Sequence, residues 1–163
     1  MKKYDAIIIG FGKGGKTLAA EFAKRQKTVA VVERSDRMYG GTCINIGCIP
    51  TKTLVHLAKE TPVKAVWEEK KEYYRQAIGR KEEVTSFLRN KNYHNLADNP
   101  NITVYTGVGA FTGPDVVEVR TAEEVIELQA PQIFINTGAE TIIPSIEGIK
   151  DNPRVYTSTS IME

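Results

Sequence analysis

The sequence predicts an α/β fold: a parallel sheet covered by helices, with a small extra β-layer. Three observations lead there. "YDAIII" and "TVAVVE" are continuous apolar runs on either side of a helical stretch, and "QIFINTG" supplies another such run far downstream. Runs of this kind belong to strands buried on both faces of a parallel sheet. Between them, "ITVYTG" and "DVVEVR" are short β-rich segments separated by Gly and Pro, as in a meander. The 163 residues, 41% of them hydrophobic, suffice for one domain with its own core.

Taken in order, the first strand ends at Gly10. "KGGKTLAAEFAKRQ" follows, with Leu18, Ala19, Phe22 and Ala23 at helical spacing, and "TVAVVE" closes a βαβ unit with a right-handed crossover. A helix over residues 42–58 carries the cysteine segment and runs out near Lys59, before a break at Thr61-Pro62. Residues 62–97 read as helical, with Trp67, Tyr73, Tyr74, Phe87 and Leu88 as the buried face and Gly79 as a candidate interruption. Asn99-Pro100-Asn101 is a turn. The meander spans about 101–130: "ITVYTG", "DVVEVR" and then Val125 to Leu128. "QIFINTG" returns as a buried strand, and residues 144–163, with Pro144, Gly148 and Pro153, read as an extended connector. No internal repeat is present.

Composition excludes several function classes. The 22 Lys and Arg nearly balance 20 Asp and Glu, so a nucleic-acid partner is not expected. Met1-Lys2-Lys3 is basic like the start of a signal peptide, but the apolar run Ala6 to Ile9 is too short for a signal core. No stretch approaches the roughly 20 apolar residues of a membrane span. The expectation is a soluble, cytoplasmic protein with no membrane partner. There, a cysteine pair is more often catalytic, redox-active or metal-binding than structural.

Gly10, Gly12 and Gly15 form G-x-G-x-x-G between a strand and a helix, the context the motif requires. Gly10 allows the tight turn, Gly12 lets a pyrophosphate approach the backbone, and Gly15 lets helix pack on strand. The helix N-terminus then faces the phosphates with free N–H groups. Glu33, ending the second strand, stands where an acid accepts hydrogen bonds from an adenosine ribose. The competing reading is a glycine-rich turn with an exposed Glu33. A bound dinucleotide fits better, and these residues leave NAD and FAD both open.

"GGTCINIGCIPTK", Gly40 to Lys52, contains both cysteines. A zinc site pairs its cysteines at tighter spacing and takes about four ligands, and a structural staple joins distant parts of a chain. In an ideal helix, residues five apart rise roughly 7.5 Å, beyond the disulfide limit of about 7 Å. Cys43 and Cys48 bridge only where the helix start is distorted, and Gly47 and Pro50 supply the distortion. Such a bond is easily reduced, and a helix N-terminus favours the Cys43 thiolate. The alternatives are two buried, reduced cysteines or a metal site. The latter would have to recruit His56 and His94, which show no ligand spacing, so no metal is expected.

"GGTCINIGCIPTK" resembles the redox-active disulfide segment G-G-T-C-x-N-x-G-C-x-P-x-K of the class I pyridine nucleotide–disulfide oxidoreductases. These flavoproteins include dihydrolipoamide dehydrogenase, glutathione reductase and mercuric reductase. The resemblance runs on through the opening βαβ, "GVGAFTG" and "FINTGAE". Within the family, "INIGCIPTKTLVH" and "FLRNKNYHNLAD" are similar to a bacterial subgroup linked to reactive-chlorine stress. The resemblance implies a Rossmann-like three-layer FAD-binding domain. It sets Gly10, Gly12, Lys13 and Gly14 around the FAD pyrophosphate, Glu33 on the adenosine ribose, and Thr42 on the phosphates. Cys48 resembles the thiol lying against the flavin, Cys43 the interchange thiol facing substrate, and Lys52 the lysine near flavin N5. Gly109 matches a position whose backbone meets adenine, and Thr137, Gly138 and Ala139 match the T-G-x turn approaching FAD. Asn136 departs from the pattern, since many relatives have alanine there.

Family members are far longer, with an NAD(P)-binding domain, a returning FAD segment and a dimer-interface domain carrying a His–Glu pair. Neither His56 nor His94 sits in such a motif. The resemblance therefore implies an FAD-binding N-terminal segment, 1–143, and a connector, 144–163, toward an absent NAD(P)-binding domain. The segment is expected to be inactive alone. In a homodimeric parent, electrons would pass from NAD(P)H through FAD to the Cys43–Cys48 disulfide. A small disulfide, oxidant or metal ion would accept them. The rivals are a stand-alone nucleotide-binding module without redox chemistry and a small thiol-based metal binder.

Overall fold

In the computed structural model, which describes residues 1–162, a two-residue strand β1 (Lys2–Lys3) precedes β2 (Ala6–Ile9), buried along its whole length. Helix α1 (Lys13–Lys24) connects β2 to β3 (Val29–Glu33), which is equally buried. The two strands pair in parallel, Ile7 opposite Ala30 and Ile9 opposite Val32. A one-turn 3-10 helix at Asp36–Met38 leads to α2 (Thr42–Asn45) and α3 (Cys48–Glu60), and then α4 (Trp67–Ala97) begins. Strands β4 (Ile102–Thr106), β5 (Val108–Phe111), β6 (Val116–Arg120), β7 (Val125–Gln129) and β8 (Ile133–Ile135) follow.

Two sheets result, a wholly parallel one in the order β4-β3-β2-β8 and a second in the order β1-β7-β6-β5. The two-residue period of a strand sends alternate side chains to opposite faces. Ala6, Ile8, Val29 and Val31 face the helices, packing with Ala19, Ala23 and Leu96. Ile7, Ile9, Ala30 and Val32 face the second sheet and meet Val117, Val119, Ile126 and Leu128. Each large aliphatic side chain buried this way contributes about 1.5–3 kcal/mol. The result is the three-layer α/β arrangement expected.

Four expectations differ. "ITVYTG" is not in the meander: β4 is an edge of the parallel sheet, paired with β3 from Val29–Ile102 to Glu33–Thr106. Its alternating pattern suits either sheet, so pattern alone does not assign it. The chain changes sheets at Gly107, whose N–H still donates to the Glu33 carbonyl at 2.8 Å. A Cβ on Gly107 would lie 2.5 Å from the Arg120 carbonyl of the other sheet. The meander consists of β5, β6 and β7, and β5 came from a stretch not read as a strand.

Second, β8 is an edge strand, with Ile135 exposed. Third, Trp67, Tyr73, Tyr74 and Phe87 lie outside the core, Trp67 at 69% and Phe87 at 66% exposure. A helix of 31 residues is about 46 Å long, and its buried contact with the sheet comes at the C-terminal end, through Leu96. Gly79 continues the helix without interruption. Fourth, the tail is a series of turns rather than an extended connector. Its last described residue, Met162, meets Thr51 of α3, Oγ1 to Sδ at 3.3 Å, and its carbonyl accepts from Lys81 of α4. Among the described residues, no helix is long and apolar enough to cross a membrane.

Candidate functional site

The glycine turn is built by close approach. Gly10 has φ +106°, and a Cβ there would lie 2.2 Å from the Asn136 carbonyl oxygen. The Gly10 N–H donates to Val32 at 2.7 Å, while the Asn136 N–H donates to Ile9 at 2.8 Å. Asn136 also sends its Nδ2 to the Gly10 carbonyl at 3.1 Å. Its carboxamide fills the space beside Gly12, Gly14 and Gly15, where added Cβ atoms would lie 3.1, 3.0 and 2.7 Å from it. The residue that departs from the family pattern is therefore part of the turn.

Helix α1 starts from Gly12, which has no side chain to cap it, and its first turn holds Lys13 but no acid. Its leading N–H groups have no intrahelical acceptors, and its positive end favours an anion. Glu33 is 8% exposed, so it is not the exposed acid of the competing reading. Its Oε2 accepts from the Phe11 N–H at 2.9 Å and its Oε1 from the Ser35 N–H at 3.2 Å. A carboxylate with one partner on each oxygen keeps acceptor capacity for hydroxyl groups. An anion-favouring helix end beside such a carboxylate suits the pyrophosphate and ribose of a dinucleotide.

The cysteine segment lies directly against this turn. Gly41, at φ +77°, approaches so closely that a Cβ on it would be 2.6 Å from the Gly12 Cα. In place of one helix over 42–58 there are two, α2 and α3, broken at Ile46-Gly47, where Gly47 has φ −134° and ψ −109°. Pro50 is the third residue of α3, where no intrahelical hydrogen bond is lost, so it starts the new helix rather than disturbing an old one. Cys48 is the first residue of α3. Both cysteines are unbonded and exposed, so they are not the buried pair considered above. A hydrogen bond with the Cys48 thiol, then partial burial, push the Cys43 thiol up, while the Cys48 N–H and the Lys52 charge act the other way.

Polar side chains brace this loop. Asn45 Nδ2 donates to the carbonyls of Tyr39 at 3.0 Å and Gly41 at 2.9 Å, and its Oδ1 accepts from Arg89 Nε of α4 at 2.8 Å. Sequence reasoning missed Asn45 and Arg89 as site residues, because no local signal joins positions 44 apart.

The C-terminal end of the parallel sheet thus gathers Gly10 to Gly15, Glu33, Gly41, Thr42 and Thr137, whose backbone N is 3.2 Å from a Gly10 Cβ position. That edge is where open α/β sheets bind ligands. Gly138, at φ +75°, and Ala139 continue outward and are exposed. Lys52 lies one turn beyond Cys48 and is exposed rather than withdrawn from solvent. Gly109, on β5, points its missing side chain between the sheets, where a Cβ would be 3.3 Å from Val32 and 3.4 Å from Val117. His56 and His94 are exposed and face Glu60 and Asp98 on their own helices, at 3.4 and 3.0 Å.

The sequence model of the family described as pyridine nucleotide-disulphide oxidoreductase matches residues 4–163. The chain is 52% identical over 162 residues to the probable pyridine nucleotide-disulfide oxidoreductase RclA of Escherichia coli K12, covering 99% of this chain and 34% of that protein. It is 34% identical over 167 residues to a mercuric reductase of Lysinibacillus sphaericus, covering 98% of this chain and 29% of the relative. Among solved structures it resembles the Cu(II) complex of the HOCl-induced flavoprotein disulfide reductase RclA from Escherichia coli. That match has a TM-score of 0.87 at 52% identity, over 99% of this chain and 34% of the other. The chain thus spans about a third of the length of these relatives.

Proposed function

The chain belongs to the pyridine nucleotide-disulphide oxidoreductase family, and from that premise we propose that it is the FAD-binding N-terminal part of a flavin-dependent NAD(P)H oxidoreductase. The observation that carries the reading is the contact of the two glycine loops at Gly12 and Gly41, which sets an exposed dithiol beside a dinucleotide cradle. FAD, when bound, would supply hydride uptake from NAD(P)H and two-electron transfer toward the dithiol. Gly10, Gly12, Lys13, Gly14 and Gly15 would hold its pyrophosphate turn, with Thr42 on the phosphates and Glu33 on the ribose. Gly109 would lie along the adenine, and Thr137, Gly138 and Ala139 along the flavin side. Lys52 would place its charge near the flavin ring.

The chain's own chemistry is a dithiol exchange. Cys43, as thiolate, attacks one sulfur of an acceptor disulfide, forming a mixed disulfide and releasing the other sulfur as a thiolate that takes up a proton. Cys48 then attacks the Cys43 sulfur, and the acceptor leaves as its second thiol. The Cys43–Cys48 pair has lost two electrons and two protons, and the acceptor has gained them. Oxidants and metal ions are the other classes of acceptor; one relative is named a mercuric reductase, and the RclA structure is a complex with Cu(II). We place the reaction in the cytoplasm, in a homodimeric parent, with residues 144–163 leading toward an NAD(P)-binding domain.

Mass spectrometry of the 163-residue chain after incubation with oxidised glutathione tests the dithiol. The expected product is an internal Cys43–Cys48 disulfide, two hydrogens lighter and monomeric. Stable mixed disulfides on both cysteines, with no internal bond, would contradict the reading.

A further inference from the structure

Helix α4 buries three residues, Lys81, Thr85 and Leu96. Leu96 packs on the sheet, and Thr85 satisfies its hydroxyl within the helix, donating to the Glu82 carbonyl at 3.2 Å. Lys81 is the unexpected member. It is 3% exposed, and lysine is almost never buried unless its charge is paired. Its ammonium has three donors to place. One goes to the Glu82 carboxylate at 2.5 Å, whose side chain is half exposed. Another goes to the main-chain carbonyl of Met162, 81 positions away, at 2.5 Å. Glu82 is a neighbour on the same helix and is in reach whatever the tail does. The Met162 carbonyl is in reach only when the tail lies on α4.

The tail is shaped to offer that carbonyl. Thr157 and Ser160 cap one another: the Thr157 N–H donates to Ser160 Oγ at 2.9 Å, and the Ser160 N–H donates to Thr157 Oγ1 at 3.1 Å. The Met162 N–H donates to the Thr159 carbonyl at 3.2 Å, within a 3-10 turn over Ser160–Met162. Met162 then bridges two helices, its carbonyl on Lys81 of α4 and its thioether on Thr51 of α3. Thr51 shares the first turn of α3 with Cys48, and its N–H donates to the Gly47 carbonyl at 3.1 Å, at the break between α2 and α3. The tail is therefore anchored beside the start of the cysteine helix.

We propose that Lys81 is a positioning residue: its buried ammonium straps the tail across α3 and α4, so that the connector leaves from a fixed point beside the cysteine pair. That this point sets where an NAD(P)-binding domain begins relative to the dithiol rests on the function proposed above. The strap itself does not.

The first test is acylation of lysine amines by sulfo-NHS-acetate in the 163-residue chain, read peptide by peptide by mass spectrometry. Lys81 is expected to react at least about tenfold more slowly than the exposed Lys70. Thr157→Ala, Ser160→Ala and Met162→Gly, combined in one variant, dissolve the capped turn without touching α3 or α4. They are expected to speed Lys81 acylation about fivefold. A lysine buried by helix packing alone predicts no change in that variant. The second test is hydrogen exchange in Lys81→Met, which keeps the apolar stem and removes the donor. Exchange over residues 157–162 is expected to rise about tenfold, through loss of one charge-assisted hydrogen bond, while β2 and β3 exchange as in the parent. If Lys81→Met does not fold, the tail variant alone decides. Equal acylation of Lys81 in the tail variant and its parent, or unchanged exchange of the tail in folded Lys81→Met, would overturn the proposal. Neither measurement involves FAD or the thiols, so this failure is distinct from failure of the functional reading.

Discussion

The glycine turn and the cysteine loop touch at Gly12 and Gly41, yet they are held in opposite ways. The turn sits at the end of the buried strands β2 and β3, and its brace is close main-chain packing of Gly10 on Asn136, 126 positions away, with the Asn136 N–H donating to Ile9 and its Nδ2 to the Gly10 carbonyl. The cysteine loop has exposed thiols and is held by side-chain hydrogen bonds through Asn45, which donates to the Tyr39 and Gly41 carbonyls and accepts from Arg89 of α4. The difference teaches how rigidity is distributed. A cradle for phosphates needs fixed N–H groups, and steric contact with no free volume provides them. A dithiol that opens and closes needs a backbone able to shift, and polar anchors over a helix break allow that.

The sharpest way to break the comparison is Gly10→Ala. Positive φ and a Cβ 2.2 Å from a main-chain oxygen leave no relaxed alternative. The expected loss is about 3 kcal/mol or more, read by urea denaturation. A change below about 1 kcal/mol would show that the turn is as adaptable as the cysteine loop. Asn136→Ala is milder, removing one side-chain hydrogen bond and some packing beside three glycines, with an expected cost of about 1–2 kcal/mol in the same assay. The smallest effect belongs to Arg89→Ala. It frees Asn45 Oδ1 at a cost of about 0.5–1 kcal/mol but raises hydrogen exchange across α2 and the break at Gly47. If exchange instead rose in the glycine turn and not in α2, the two loops would not be independently held.

Legibility in the sequence followed the same division. The buried strands and the glycine turn were readable, because continuous apolar runs and glycines at fixed spacing report requirements local to the chain. A distortion near Gly47 and Pro50 was readable too, but not that it divides the expected single helix in two, with Pro50 in the first turn of α3. What local pattern could not report was partnership. The alternation in "ITVYTG" is the same whether its neighbour is β3 or β6, so its sheet was misassigned. The aromatic residues of α4 mark an apolar composition without stating that anything covers them, and Trp67 and Phe87 are exposed. Asn136, Arg89 and Lys81 gain their meaning from groups far along the chain, which spacing does not encode.

The central claim is that the glycine turn, Glu33 and the adjoining Gly41 loop form part of an FAD site. Titration of the 163-residue chain with FAD, followed by flavin fluorescence, tests it most directly, with a Glu33→Gln variant alongside and an NAD(P)H oxidation assay on the loaded sample. The account predicts weak but saturable binding, weakened further in the variant, because Glu33 then offers the ribose an uncharged amide and loses its carboxylate bond to the Phe11 N–H. It predicts no NAD(P)H turnover. Absence of saturable FAD binding to the folded chain would contradict the claimed site, and tight stoichiometric binding with robust turnover would contradict the reading of this chain as one part of the enzyme.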